Sequence, residues 1–571
     1  MGDTQMNDMV VRSCHDDDPA SLQQSSPIPS GTRSESTPLR EAALLQRKKD
    51  FQTIVVGFSI FSAGITVALF IALVAGEPEG IAHGAVVSDS SQCSQIGVQL
   101  MKDGGSAVDA TIAAFLCSSL VNPSANGLGG GGFMLVHDHK HHKSFAYDFR
   151  ETAPSAAPSD PAALTQQALR SSGLGVAVPG NVRGMQLAHR QHGKLPWERL
   201  FKEAIALAND NSYVVTRKQY LDFQRRAGDR RSVEQRPSAG YQRFMAVYGA
   251  ILADESNVGR SISNAALART LAQLADNADA FYEGPLAAEL ASTVRAAGGL
   301  MDERDLHAYT PRLRQPVVYE YKGFSVETLP APSSGVLVLR ALDRMLHQTP
   351  ENEKHAGISK EAIAKILSGV SSCRSLLGDP EKHAQVIENE QILRNISLVH
   401  ECESVPAAES VEDHGTSHIS AIDADELLVA YTGSLNLLFG SLLMTESGIL
   451  LNDQLADFDQ NSPLNAYTAG ARALSSMAPT VAYHNVHPCS QRFAIGGING
   501  TYIDDSLVQV LYNMIGRQQG PQVALATARQ CPPEHETRCE GEDANGVVSM
   551  VSKTGTTLTA VGDRPDVGAI F

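Results

Sequence analysis

Hydrophobic and polar positions divide the chain into stretches of different character. Residues 1–50, from MGDTQMNDMV through SGTRSESTPLR to QRKKD, are polar and rich in Ser, Pro and Asp, with neither helical nor strand periodicity. A stretch with so little apolar surface to bury is predicted to be a disordered tail. From Phe51 to Gly76 the chain reads FQTIVVGFSIFSAGITVALFIALVAG, without a charge, which matches the roughly 20 apolar residues that cross a bilayer. A cleaved secretory signal would sit nearer the terminus and have a shorter apolar centre. Arg47, Lys48 and Lys49 precede the span, and Glu77 and Glu79 follow it. The positive-inside rule therefore puts 1–50 in the cytosol and everything after 76 in the lumen or outside the cell, a single-pass type II arrangement.

Beyond the span, HGAVVSDS reads as a short strand. A helix then runs to Gly104-Gly105, and a second helix starts from the N-cap Ser106 and continues to about Val121. FMLVHDH and KSFAYDFRE form a predicted hairpin, and the pattern between Pro196 and about Thr310 is helical. Helical segments continue after 351, until the polar, acidic ECESVPAAESVEDHG reads as an exposed loop. Past this loop stands Thr416. Alternating Ile419 and Ala421, the acidic turn Asp423-Ala424-Asp425, and then Leu427, Leu428 and Val429 predict two paired strands. LLVAYTGSLNLLFGS, ARALSSMAPTVAYH and RFAIGGINGTYI extend the strand pattern, with a helix near Ser506 to Gly516. Helices and strands come in runs rather than in alternation, so the fold class is α+β.

Composition narrows the partners. A chain of 571 residues, 43% hydrophobic and 19% charged, is globular. Its 63 acidic against 46 basic residues give a net charge of −17, which excludes a nucleic-acid partner, because phosphate binding needs a basic surface. Of the eight cysteines only Cys14 lies on the cytosolic side, which leaves an odd number beyond the membrane. At least one should be unpaired, and Cys117, in an apolar helical stretch, is the one expected to be free. Cys531 and Cys539, and Cys373 and Cys402, are near enough in sequence to pair. Sequons at Asn395-Ile396-Ser397 and Asn499-Gly500-Thr501 fit a luminal domain, with Asn395 the expected glycosylation site.

Three motifs are candidates for chemistry. Gly127 to Gly132, GLGGGG, satisfies G-x-G-x-x-G, but a helix precedes it and a strand follows, the reverse of a dinucleotide site. It reads as a tight turn where backbones approach closely. His137 to His142, HDHKHH, sits where the hairpin turns and reads as solvated rather than metal-binding. Thr416 is different. A threonine hydroxyl needs a base, and a threonine at the new N-terminus of a cut chain has its own α-amine, with a pKa of about 7.7 to 8. Small, permissive Gly415 before it suits an attack by the hydroxyl on the preceding carbonyl.

Together, HGAVVSDS, DGGSAVDA, NGLGGGGFMLV, DFRETAP, VAVPGNVRGM, FYEGPLA, LPAPSSG, HGTSHIS, SGILLND, LSSMAP and the GGINGT turn occur in matching order from about Gly80 to the C-terminus. In these stretches the chain resembles the gamma-glutamyltransferase (glutathione hydrolase) family, and its tail and single span are similar to those of a membrane-anchored branch. The resemblance implies an αββα N-terminal-nucleophile hydrolase sandwich without metal or organic cofactor. It implies autocleavage between Gly415 and Thr416, giving a heterodimer of a large chain, 77–415, and a small chain, 416–571. Thr416 would be the nucleophile. Arg150, Ser475 and Ser476 would bind the α-carboxylate of a γ-glutamyl group, Asn436, Gln454 and Asp457 its ammonium, and the Asn499-Gly500 turn the oxyanion. Glutathione and other γ-glutamyl compounds would be donors, with water, amino acids or dipeptides as acceptors.

Three positions depart from the family pattern: Gln454 stands where active members carry a glutamate, Asn499 replaces the first of two glycines, and Ser434 replaces a threonine that hydrogen-bonds the nucleophile. The first two also admit an alternative, a weakly active or inactive membrane-anchored pseudoenzyme with a binding role.

Overall fold

The computed structural model describes residues 38–75, 83–156, 165–209, 213–228, 238–349, 357–394, 415–459, 461–486, 489–527, 529–530, 547–563 and 568–570. The chain divides into two units, Met1–Ile81 and Ala82–Phe571.

Among the described residues of the first unit, one helix, α1, runs Pro38–Ala75. It starts well before Phe51, so the final part of the expected disordered tail is helical. PLREAALLQRKK is built almost wholly from strong helix formers and has proline at the first position, where its missing N–H costs nothing. Gln46–Val67 is long and apolar enough to cross a membrane, and none of its residues is buried. Phe51, Phe58 and Ile60 point outward without protein partners to cover them, which suits a lipid surround.

The second unit is built on strands β1 (Ala85–Val87), β2 (Gly131–Asp138), β3 (Lys143–Phe149), β4 (Tyr213–Val214), β5 (Ser261–Ile262), β6 (Arg312–Arg314), β7 (Val317–Tyr321), β8 (Phe324–Thr328), β9 (Gly415–Ile422), β10 (Leu427–Asn436), β11 (Thr480–His484), β12 (Arg492–Ile498), β13 (Val547–Thr554), β14 (Thr557–Gly562) and β15 (Gly568–Ile570). A seven-stranded sheet has the order β15-β1-β9-β10-β2-β3-β6, and a six-stranded sheet the order β14-β13-β12-β11-β8-β7. Neighbours in both are antiparallel.

Alternation along the strands sorts the core into layers. On β10, Leu428 and Ala430 meet Val481 of β11, Ala494 of β12 and Val551 of β13 between the sheets. Val429 and Tyr431 point the other way, into a helical layer that includes α2 (Ser91–Lys102) and α3 (Ala107–Val121). Beyond the second sheet, Ala482, Phe493 and Ile495 pack on helices Gly335–Gln348 and Tyr502–Ile515. The order is helix, sheet, sheet, helix, the αββα sandwich of N-terminal-nucleophile hydrolases.

α3 is buried along its whole length, which explains its mostly apolar sequence. Ser106 caps it in a capping box with Asp109. Cys117 is not free, contrary to expectation. The turn at 103–106 brings α2 back alongside α3, and Cys93 bonds Cys117 with Cα atoms 5.4 Å apart. Closing that loop contributes about 3 kcal/mol by restricting the unfolded chain. Cys373 and Cys489 are also in disulfides, and no cysteine among the described residues is free.

The GLGGGG stretch does place backbones in close approach. A Cβ at Gly129 would lie 2.0 Å from the Leu450 carbonyl oxygen, and one at Gly130 2.2 Å from that of Ser434. Within ARALSSMAPTVAYH only Thr480–His484 is a strand; the serines sit in irregular chain ahead of it. The helix expected from Ser506 begins at Tyr502.

Candidate active site

Gly415 and Thr416 open β9, an interior strand of the seven-stranded sheet. Thr416 pairs with Ser434 and Gly415 with Asn436, so Leu435 is an extra residue in the ladder. This bulge sets the local geometry. Ser434 Oγ donates to the Gly415 carbonyl oxygen at 2.8 Å and accepts from the Asn436 N–H at 2.8 Å. Thr416 Oγ1 is buried and has no hydrogen-bond partner among the described residues. It is an unengaged hydroxyl beside a carbonyl that is already polarised.

Asn436 adopts φ +76°, a left-handed conformation that asparagine tolerates better than most residues. Its Nδ2 donates to the Asp453 carbonyl at 3.0 Å, while its Oδ1 has no hydrogen-bond partner among the described residues. The single 3₁₀ turn Gln454–Asp457 follows. With three residues per turn, its first and last side chains fall on one face. Gln454 Nε2 accordingly donates to Asp457 Oδ2 at 2.6 Å. The same oxygen contacts Nη2 of Arg150.

Arg150 follows the last residue of β3 and is fully buried. Its guanidinium also donates to the carbonyls of Ala473, at 3.2 Å, and Leu474, at 3.3 Å, immediately before Ser475 and Ser476. Asn465 ties these segments together. Its Nδ2 donates to the Asp457 carbonyl at 2.8 Å, and its Oδ1 accepts from the Leu474 N–H at 2.9 Å. Hydrogen bonds and strand pairing thus connect Thr416, Ser434, Asn436, Gln454, Asp457, Arg150 and the chain leading to Ser475.

Ser475 N donates to the Pro332 carbonyl at 2.8 Å, and Ser334 Oγ donates to that of Ser476 at 2.9 Å. The LPAPSSG turn therefore backs the two serines. Asn499 and Gly500, at φ +89° and +61°, turn the chain from the end of β12 into the helix starting at Tyr502. Within the turn, the Tyr502 N–H donates to the Asn499 carbonyl at 3.4 Å and the Ile503 N–H to the Gly500 carbonyl at 3.1 Å.

Three further groups were not singled out from the sequence. Glu151, next to Arg150, has a wholly buried carboxylate, with Oε2 3.7 Å from Nη1 of Arg150. Burial pushes its carboxyl up to about 7, although Arg150 opposes the shift. Asp453 accepts from the Leu437 N–H at 3.1 Å and lies 3.6 Å from Nη2 of Arg226. Burial raises its carboxyl to about 7 as well. His418, on the Thr416 face of β9, wedges between the sheets with Nδ1 2.8 Å from Thr432 Oγ1 and Nε2 2.7 Å from Ser420 Oγ. Burial holds it neutral, with a pKa of about 3, so it is a structural polar link. DFRETAP, SGILLND and HGTSHIS contained Glu151, Asp453 and His418, but carboxylates and histidines are ordinarily solvated and only packing reveals their burial.

His139 to His142 form the β2–β3 turn, and His137 stacks on Tyr483 with ring centroids 4.1 Å apart. No group of three or more His, Cys, Asp and Glu side chains among the described residues could hold a metal ion. Asn395 lies outside the described residues.

The family model described as gamma-glutamyltranspeptidase matches residues 93–570. Glutathione hydrolase 7 of Rattus norvegicus is 31% identical over 544 residues, 87% of this chain and 78% of that protein. Glutathione hydrolase 3 of Arabidopsis thaliana is 30% identical over 477 residues, 78% of this chain and 72% of that protein. Among solved structures, cephalosporin acylase from Bacillus halodurans superposes with a TM-score of 0.70 at 21% identity, covering 86% of this chain and 96% of that one.

Proposed function

The chain belongs to the gamma-glutamyltranspeptidase family, and from this premise we propose that it is a membrane-anchored enzyme that cleaves the γ-glutamyl bond of glutathione and its S-conjugates through Thr416. The observation that carries the proposal is the Ser434 hydroxyl on the Gly415 carbonyl, 2.8 Å away, beside an unpartnered Thr416 hydroxyl.

In maturation, Thr416 Oγ1 attacks the Gly415 carbonyl carbon. The Gly415–Thr416 C–N bond breaks as the leaving nitrogen takes the proton given up by the hydroxyl, and an ester remains that water hydrolyses. The products are a large chain ending at Gly415 and a small chain whose Thr416 carries a free α-amine. That amine then takes the hydroxyl proton as Oγ1 attacks the γ-carbonyl of the donor. N–H groups of the Asn499-Gly500 turn stabilise the oxyanion. Protonation of the departing amine releases Cys-Gly, or its S-conjugate, and leaves a γ-glutamyl ester on Thr416. Water, an amino acid or a dipeptide resolves the ester in a ping-pong scheme.

The clamp follows from charge. A γ-glutamyl head presents a carboxylate and an ammonium, and the site presents Arg150 with Ser475 and Ser476 for the first, and Asp457 with Asn436 and Gln454 for the second. The chemistry draws on no metal or organic cofactor. Basic residues before the α1 span and acidic ones after it support a cytosolic tail with the catalytic unit luminal or extracellular.

A second reading, an inactive relative with a binding role, draws on Asn499, which puts a side chain into a left-handed turn, φ +89°, that glycine adopts at least cost, and on neutral Gln454. Intact mass of wild type and Thr416→Ala, with a γ-glutamyl anilide assay, separates the two. The enzyme reading expects cleavage before Thr416 and Thr416-dependent turnover. An uncut, inactive wild type overturns it.

A further inference from the structure

The hydroxyl of Ser334 carries one hydrogen and faces two acceptors. Its Oγ is 2.9 Å from the carbonyl oxygen of Ser476 and in contact with Oδ1 of Asp504. Both contacts are hydrogen bonds only when Asp504 is protonated. It then donates to Ser334 Oγ, which passes its own hydrogen to Ser476. When Asp504 is ionised, the hydroxyl turns to the carboxylate in a stronger, charge-assisted bond, and the Ser476 carbonyl loses its donor.

We infer that Asp504 is a positioning residue for the donor clamp, acting through Ser334 on the backbone that carries Ser475 and Ser476. The inference rests on the reading of those two serines as part of the clamp. Asp504 also stands in the first turn of the helix that follows Asn499-Gly500, so its state bears on both walls of the site.

The surroundings allow both states. Asp504, Ser476 and Thr501 line a cavity of about 40 Å³ that opens to solvent, through which a proton can exchange. Arg374, from the 3₁₀ turn Ser372–Leu376, and Asp505, from the same helix, are the other charged groups lining it. Helices Gly335–Gln348 and Lys360–Ser371 present apolar Leu337, Val338, Leu367 and Val370. Burial raises the Asp504 carboxyl to about 7, with Arg374 and the Ser334 hydroxyl pulling the other way. The neutral form therefore prevails below neutrality and gives way above it.

The test is the donor KM for a γ-glutamyl anilide, measured from about pH 5.5 to about 9 in wild type, Asp504→Asn and Ser334→Ala. Losing one supporting hydrogen bond should raise the wild-type KM about threefold to tenfold as pH passes about 7. Asp504→Asn, whose amide donates to Ser334 at every pH, should lack that component of the rise. Ser334→Ala should show the raised KM throughout. Glu151 and Asp453 titrate in the same range but are unaltered in Asp504→Asn, so the difference between wild type and variant isolates Asp504. An Asp504→Asn profile identical to wild type, or an unchanged KM in Ser334→Ala, overturns the inference.

If no protein shows Thr416-dependent turnover, the catalytic reading fails separately. The affinity for L-glutamate, measured by calorimetry over the same pH range, then takes the place of KM. A pH-dependent affinity that flattens in Asp504→Asn supports the inference, identical profiles overturn it, and absence of glutamate binding overturns both.

Discussion

Nη2 of Arg150 and Oδ2 of Asp457 hold each other directly, one side chain fully buried and the other nearly so. A buried ion pair is costly to desolvate and costlier to break on one side, about 3–5 kcal/mol for removal of a single partner. Under the proposed function, a zwitterionic head would match both members at once, with its carboxylate facing arginine and its ammonium facing aspartate.

Asp457→Asn should therefore raise the donor KM about tenfold to a hundredfold, the value of a charge-assisted hydrogen bond, with a smaller effect on kcat. Steady-state kinetics on a γ-glutamyl anilide would show it. An unchanged KM would remove Asp457 from the clamp.

Gln454→Glu replaces the amide that donates to Asp457 Oδ2 at 2.6 Å with a second carboxylate. Two like charges at that separation repel, so the free protein should melt at a lower temperature, while an added ammonium should bind more tightly by about 1–2 kcal/mol. Thermal melts with and without saturating L-glutamate should show a loss and then its recovery. Equal ligand-induced shifts in wild type and variant would argue against Gln454 as an ammonium partner.

Ser434→Ala removes the donor on the Gly415 carbonyl and should slow maturation at least tenfold, in line with loss of one donor to a developing oxyanion. Ser434→Thr keeps the hydroxyl and should mature normally. Intact mass during expression gives the cut fraction, and normal cutting in the alanine variant would contradict the role.

Glu151 gives a signed pH effect. Its folded carboxyl, at about 7, lies above the usual carboxylate value, so the folded state holds a proton that the unfolded chain releases. The associated stabilisation is complete at low pH and is lost as pH rises from about 4.5 through about 7, up to about 3 kcal/mol in all. Glu151→Gln should flatten that part of the stability profile, as read from urea midpoints at about pH 5 and about pH 7.5.

Periodicity captured the hairpin strands from Gly131 and Lys143, the pair from Thr416, and the capped α3, because those elements each bury one face or are buried throughout. It missed the early start of α1, whose first turns carry no apolar stripe, and it read the residues around Ser475 as strand because β-compatible residues also line irregular buried chain. The Cys93–Cys117 bond was hidden because pairing depends on how two helices lie together, which spacing alone does not give. At the site, the motifs supplied Arg150, Asp457, Gln454 and Thr416 by resemblance. The burial of Glu151, Asp453 and Asp504, and hence their raised carboxyls, comes from neighbours far away in sequence.

The strand order has a consequence for a nick before Thr416. Strands from the segment before it and the segment after it are interleaved in the first sheet, where β1 lies between β15 and β9, and β10 lies against β2. In the second sheet, β11 of the later segment is zipped to β8 of the earlier one. Neither piece has a closed sheet or a complete apolar layer of its own. If the chain is cut there, the two polypeptides would come apart only by the same cooperative event that melts the whole catalytic unit, so their dissociation and their unfolding would be a single equilibrium.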